Sequence, residues 1–201
     1  MRTKLVVATY NVKKRAEILE LLADMPIEVL SLDDFPGTKE VEEDGATFGE
    51  NAEKKALGYA KQIGCLTLGE DSGLAVDCLN GEPGIYSARY AGEAKDDLAN
   101  CKKVLERMKG VPEAKRAAAF VSAVSLATPE RVIATVEGKV EGRIANEMRG
   151  TNGFGYDPLF FYPEFGTTFG QVDTKKKHSV SHRGKALQQI KPEIKKILSN
   201  I

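Results

Sequence analysis

Apolar and polar positions alternate between two regimes along the first half of the chain. Leu5-Val6-Val7-Ala8 is a short continuous apolar run, the signature of a buried strand, and Thr9-Tyr10-Asn11 interrupts it. Ala16, Leu19 and Leu22-Ala23 then recur on one helical face among charged residues, and Asn11 is placed to cap that helix. Ile27 to Leu32 alternates like a second strand. Thr47-Phe48-Gly49-Glu50 fits a capping box, and the helix it opens is expected to run to about Ile63 and stop at Gly64. Leu66-Thr67-Leu68 reads as a short strand ending in the polar stretch Gly69-Glu70-Asp71-Ser72-Gly73, after which Leu74-Ala75-Val76 resumes an extended run.

Gly81-Glu82-Pro83-Gly84 marks a turn, and Leu98, Cys101, Leu105 and Met108 return at helical spacing. Ala117 to Leu126 and Val132 to Val140 read as two long strands joined near Thr128-Pro129. A glycine-rich loop follows at 150–158. The last helix starts near Ser181, carries Leu187, Ile190, Ile194 and Ile197, and is expected to kink or split at Pro192. Strands and helices alternate early and a strand pair sits in the middle, which predicts an α/β fold with a mixed sheet. With 201 residues, no repeat, no low-complexity tract and no linker, residues 1–201 are expected to form a single domain.

Composition narrows the function classes. Lys+Arg and Asp+Glu both total 29, so no overall field favours nucleic acid, and an anion site has to be built locally. Cys65, Cys78 and Cys101 are odd in number and widely spaced, which argues against a disulfide framework or a structural zinc site. Neither a signal peptide nor a membrane-length apolar run is visible, so a soluble cytoplasmic protein without a membrane partner is expected.

Four segments carry chemistry. At Thr9, Tyr10, Asn11, Val12, Lys13 and Lys14 a strand turns into a helix start, where backbone N–H groups and the dipole suit an anion. Two lysines in that first turn oppose the dipole, a local conflict that an anionic ligand would relieve. The acidic residues Glu42, Glu43 and Asp44, together with Glu70 and Asp71, offer the hard oxygen ligands that magnesium takes alongside substrate phosphates; one could also accept a proton from an attacking water. In Gly153-Phe154-Gly155-Tyr156-Asp157-Pro158 the glycines allow close approach and leave the Phe154 ring to stack on a base. Finally, Lys175-Lys176-Lys177-His178 and Ser181-His182-Arg183 supply donors able to read a keto oxygen. Residue chemistry thus reaches a nucleotide with a metal. It leaves open a hydrolase on purine nucleotides, a pyrophosphatase on modified pyrimidine nucleotides, and a nucleotide-binding regulatory module.

The same segments resemble the inosine triphosphate pyrophosphatase family, the noncanonical purine NTP pyrophosphatases. The matching stretches are Ala8-Thr9-Tyr10-Asn11 with Lys14, Glu43-Asp44-Gly45 with Thr47-Phe48 and Glu50-Asn51-Ala52, and Glu70-Asp71-Ser72-Gly73-Leu74. Pro83 to Tyr90, Gly153 to Pro158 and Ser181 to Leu187 follow in the family's order. The resemblance implies a long central mixed β-sheet with helices forming two lobes around an active-site cleft. It implies magnesium-dependent hydrolysis of ITP, dITP and XTP to the monophosphate and pyrophosphate, which cleanses the nucleotide pool, and it implies a homodimer.

Carried over by residue, Thr9 to Lys14 and Lys55 hold phosphates, and Glu43 and Asp71 engage the metal, with Glu70 a further candidate. Asp71 is the general base, with Ser72 beside it in the substrate site. Phe154, Gly155, Tyr156 and Asp157 hold the base, while Lys177, His182 and Arg183 recognise its 6-keto group. The chain departs from the family at Tyr10, where many relatives have glycine, and at Glu70, where many have aspartate. His178 receives no role.

Overall fold

The computed structural model describes residues 3–199. Its strands are β1 (Thr3–Ala8), β2 (Ile27–Ser31), β3 (Thr67–Val76), β4 (Ala117–Ala127), β5 (Val132–Ile144), β6 (Phe160–Tyr162) and β7 (Thr167–Thr168). The helices are α1 (Val12–Leu22), α2 (Phe48–Ile63), α3 (Asp97–Arg107), α4 (Thr174–His178) and α5 (His182–Ser199). All seven strands join one sheet in the order β2-β1-β3-β4-β5-β6-β7. β1 pairs in parallel with β2 and β3, whereas β5–β6 and β6–β7 are antiparallel, so the sheet is mixed as expected.

The chain groups into two compact units. One takes the chain up to Asp71, Ser122–Gly138 and the chain from Arg183 onward; the other takes Ser72–Val121 and Lys139–His182. In the first unit, β1 is buried on both faces, as a central parallel strand with helices on either side must be. Leu5 and Val7 join Ile18, Leu22, Leu68, Val124, Leu187, Ile190 and Ile194, while Val6 and Ala8 join Leu32 and Tyr59. In the second unit, Leu74, Val76, Cys101, Val104 and Met108 pack with an aromatic group in which Phe160 lies 4.5 Å from Phe120 and 5.0 Å from Phe169, ring centre to ring centre.

One expectation is corrected, and two elements take a form that the sequence left open. The polar stretch Gly69 to Gly73 does not interrupt a strand: β3 runs unbroken through it. Its glycines serve close packing, not turning. A Cβ on Gly69 would lie 2.4 Å from Ala52 O on α2, and one on Gly73 would lie 2.3 Å from Ser87 Oγ. Next, α5 passes through Pro192 without splitting. The ~3 kcal/mol that an interior proline costs is outweighed by the fully buried Leu187, Ile190 and Ile194, each contributing on the order of 1.5–3 kcal/mol. Lastly, the basic stretch at 175–178 is a short helix, α4, because Asp173 caps it: Lys176 N–H donates to Asp173 Oδ1 at 2.8 Å. Among the described residues no helix is long and apolar enough to cross a membrane.

Candidate active site

The turn from β1 into α1 forms as its sequence demands. Asn11 Oδ1 accepts from both Lys13 N–H and Lys14 N–H at 3.0 Å, and Thr9 Oγ1 accepts from Asn11 N–H at 3.1 Å. The cap therefore already engages two of the first-turn amides that would have suited an anion. Residues Tyr10 to Lys13 are exposed. Tyr10 meets Tyr59 edge-on at 6.3 Å, and its hydroxyl lies 3.4 Å from Thr38 Oγ1.

The carboxylate centre is organised by α2. Thr47 caps the helix by accepting from Glu50 N–H at 3.1 Å, while the Glu50 carboxylate reaches back to Ala46 N–H at 2.7 Å. Asn51 and Lys55, one helical turn apart, then share a buried face. Asn51 Oδ1 accepts from Gly45 N–H at 2.8 Å, and its amide donates to Asp71 Oδ2 at 3.2 Å. A Cβ on Gly45 would come within 2.7 Å of Asn51 Oδ1, so glycine lets the acidic loop close on the helix. Lys55 Nζ stands 2.8 Å from Glu43 Oε2 and 3.7 Å from Asp71 Oδ1.

Burial pushes the Asp71 carboxyl above its ordinary value. Lys55 and Lys14 pull against that shift, and the nearby Glu43 and Glu70 carboxylates reinforce it. Among the described residues no three His, Cys, Asp or Glu side chains are gathered as a metal cage. Two carboxylates flanking a cation are nonetheless a donor set that fits magnesium, which takes one or two carboxylates and completes its shell with phosphate and water.

Glu70 and Arg183 occupy a different setting from the one expected. Successive residues of a strand point to opposite faces, and so Glu70 and its neighbour Asp71 face apart. Glu70 Oε1 accepts from Ser122 Oγ and from Arg183 Nη2, both at 2.9 Å, and Lys14 Nζ lies 3.1 Å from Oε2. Arg183 also pairs with Glu17, three residues after Lys14 on α1. The Arg183 side chain is 1% exposed. Burial alone would push its pKa down, but Glu70 and Glu17 together carry it upward. Glu70 and Arg183 thus meet in a buried ion cluster with Glu17 and Lys14.

In the second unit, the loop 153–157 is folded tightly. Gly153 and Gly155 have φ of 73° and 59°, and a Cβ on Gly153 would meet Asp157 Oδ2 at 2.0 Å. Asp157 Oδ2 accepts from Phe154 N–H at 2.8 Å and pairs with Lys177 Nζ at 2.7 Å. The same ammonium lies 4.9 Å from the centre of the Phe154 ring. Phe154, Asp157 and Lys177 are thereby brought together. Tyr156 differs: it is buried, and its hydroxyl donates to Ser87 O at 2.7 Å, which makes it an anchor of the loop. The His182 ring stacks on Phe120 with centres 4.9 Å apart. His178 is buried on α4, and Ser72 is half-buried on β3.

The sequence profile of the Ham1 family matches residues 5–193. The chain belongs to the Ham1 family. A relative from Desulforamulus reducens, named dITP/XTP pyrophosphatase, is 53% identical over 186 residues, covering 92% of each chain. Among solved structures, a HAM1 protein from Coxiella burnetii aligns at TM-score 0.88 and 38% identity, over 96% of this chain and 99% of that one. A nucleoside-triphosphatase / dITP/XTP pyrophosphatase from Mycobacterium abscessus aligns at TM-score 0.77 and 44% identity, over 94% and 98%.

Several residues of this Ham1-family site escaped the sequence reading. Asn51 shares the helical face of Lys55, a spacing that could have pointed to it. Glu17 stands one helical turn after Lys14, on the same stretch of α1 that faces the Glu70–Arg183 pair. Ser122 and Ser125 are the hydroxyls in a largely apolar strand, and a buried hydroxyl requires a hydrogen-bonding partner. Asp97 and Cys101, which contact the backbone of Gly155, lie far from it in sequence, and no local pattern links them.

Proposed function

We propose that this protein hydrolyses noncanonical purine nucleoside triphosphates, ITP, dITP and XTP, at the bond between the α- and β-phosphates. The products are the nucleoside monophosphate and pyrophosphate. The observation that carries the chemistry is Asp71, a desolvated carboxylate oriented by the Asn51 amide beside the Lys55 ammonium. Such a group suits a general base that takes a proton from the attacking water. Its near neighbour Glu43 provides a second oxygen ligand. We assign magnesium to Glu43 and Asp71; when bound, it neutralises phosphate charge. Lys13, Lys14 and Lys55, with the turn Thr9 to Val12, take the phosphates, and Ser72 lies next to the base.

The purine choice follows the names of the relatives and the chemistry of the second unit. Phe154 offers its ring to the base, and Lys177 and His182 offer donors. A keto oxygen at position 6 accepts from such donors, whereas the 6-amino group of adenine leaves them unpaired, at about 1–3 kcal/mol for each buried group; guanine shares the keto oxygen, and its exclusion rests on the names of the relatives alone. Arg183 contributes through its hold on Glu17 and Glu70. The family resemblance further suggests a cytoplasmic homodimer, which light scattering on the purified protein would test.

The deciding assay is pyrophosphate release with magnesium over a panel of nucleotides. ITP, dITP and XTP are expected to turn over far faster than ATP and GTP. Equal rates across the panel would refute the purine choice. Tight ITP binding without turnover at any magnesium concentration would refute the enzyme.

A further inference from the structure

We propose that Asp97 is a specificity-positioning residue, which acts by fixing the backbone of Gly155 and thereby the placement of Phe154 and Lys177. The inference rests on the purine reading above. Asp97 and Cys101 are one helical turn apart on α3, and they take both polar groups of a single residue. Gly155 N–H donates to Asp97 Oδ2 at 3.0 Å, and the Cys101 thiol donates to Gly155 O at 3.4 Å. Gly155 sits at positive φ between Phe154 and Tyr156. Its two peptide planes therefore set the direction in which the Phe154 ring leaves the loop.

The helix that makes this grip is itself held from outside the loop. Asp96 caps α3 by accepting from Leu98 N–H at 2.8 Å and Ala99 N–H at 3.1 Å. The Asn100 side chain accepts from Ala91 N–H at 2.6 Å and donates to Ala88 O at 3.0 Å. Tyr156 adds its bond to Ser87 O, next in the chain to Ala88. The first turn of α3 is thus a fixed post, and the charge-assisted bond from Gly155 N–H ties the loop to it. Phe154 and Lys177 are on the far side of that tie, coupled through Asp157. Displacing catalytic or binding groups by about 1 Å can cost on the order of 100-fold, so the tie bears on base discrimination although Asp97 itself need not touch substrate.

The test compares Asp97→Ala and Asp97→Asn with the parent protein on ITP and ATP. Asparagine keeps an oxygen acceptor at the same reach, so it is expected to retain the ratio of kcat/KM for ITP over ATP within about threefold. Alanine is expected to lower that ratio by about tenfold or more, chiefly through KM for ITP. Activity that falls in parallel on both nucleotides in Asp97→Ala, with the ratio unchanged, would overturn the proposal, since that is what mere destabilisation does. Hydrogen exchange at the Gly155 amide gives a readout independent of catalysis: protected in the parent and in Asp97→Asn, fast in Asp97→Ala. Unchanged protection in Asp97→Ala would also overturn it. A parent protein that shows no preference for ITP refutes the purine reading instead, and the exchange data then decide whether the tie exists.

Discussion

Replacing Arg183 by methionine is the sharpest test of where this arginine sits. In the structure its guanidinium is enclosed and pairs with Glu17 and Glu70, and both carboxylates are themselves buried. Methionine keeps much of the stem volume but removes the charge, leaving two desolvated carboxylates with Lys14 as the neighbouring cation to Glu70. Breaking a buried pair by deleting one partner costs about 3–5 kcal/mol, because the remaining charge has lost its compensation. For a chain of this size each kcal/mol lowers Tm by roughly 2–4 °C, so a fall of roughly 6–20 °C is expected. Urea unfolding followed by circular dichroism would give the free-energy change directly. Lysine at 183 is expected to fall between parent and methionine, since an ammonium cannot present two parallel donors to two carboxylates. Adding Glu70→Gln to Arg183→Met should recover part of the loss, because one of the stranded charges is then gone. A cost below ~1 kcal/mol for Arg183→Met, the range of solvent-exposed ion pairs, would refute the buried cluster.

Two further outcomes follow from the titratable groups. Asp71→Asn is expected to abolish pyrophosphate release and yet raise Tm of the metal-free protein at pH 7. The folded-state pKa of Asp71 lies above its usual value, so the ionised form costs stability above the unfolded pKa, and that cost fades as pH falls through the folded one. The gain from the asparagine should accordingly shrink in acid; a lower Tm for Asp71→Asn at pH 7 would contradict the desolvated setting. Thiol labelling at pH 8 should separate the cysteines: exposed Cys78 reacts at once, whereas Cys101, whose thiol burial pushes up to about 12, reacts only on unfolding. Prompt labelling of Cys101 in the folded protein would show that α3 does not hold the loop as described.

Local order in this chain is legible where a single short segment decides it. Asn11 and Thr47 announce helix starts, and Gly64, at φ 74°, announces a stop. The strand run Leu5 to Ala8 needs only its own apolar residues. Legibility fails where the deciding partner is distant. Gly69 and Gly73 look like turn residues until α2 and Ser87 are known to press on them. Pro192 looks like a break until the burial of Ile190 and Ile194 is weighed against it. β6 and β7 are too short for any periodicity to mark them.

The site divides in the same way. Glu43, Lys55 and Asp71 converge as the motifs suggested, and so do Phe154, Asp157 and Lys177. Arg183 follows His182 directly in sequence, and adjacency made them look like one recognition element. The start of α5 sends them to different neighbours: His182 to Phe120, Arg183 to Glu17 and Glu70. A cluster of opposite charges closed upon itself looks, in a linear sequence, the same as a set of charges waiting for a ligand.

The unbroken course of β3 has one more consequence. Because the strand does not turn between Glu70 and Asp71, the pleat alone decides which acid joins the arginine cluster and which meets Asn51 and Lys55. The two roles are separated by one residue of register and by nothing in the side chains themselves. Loss or gain of a single residue within this strand would exchange them, turning an acid from the arginine cluster toward Lys55 and its neighbour toward the arginine. Substitutions along β3 can be graded in their effects, but length changes cannot. The placement of the two acids is in this sense written into the spacing of the backbone as firmly as into the identity of its residues.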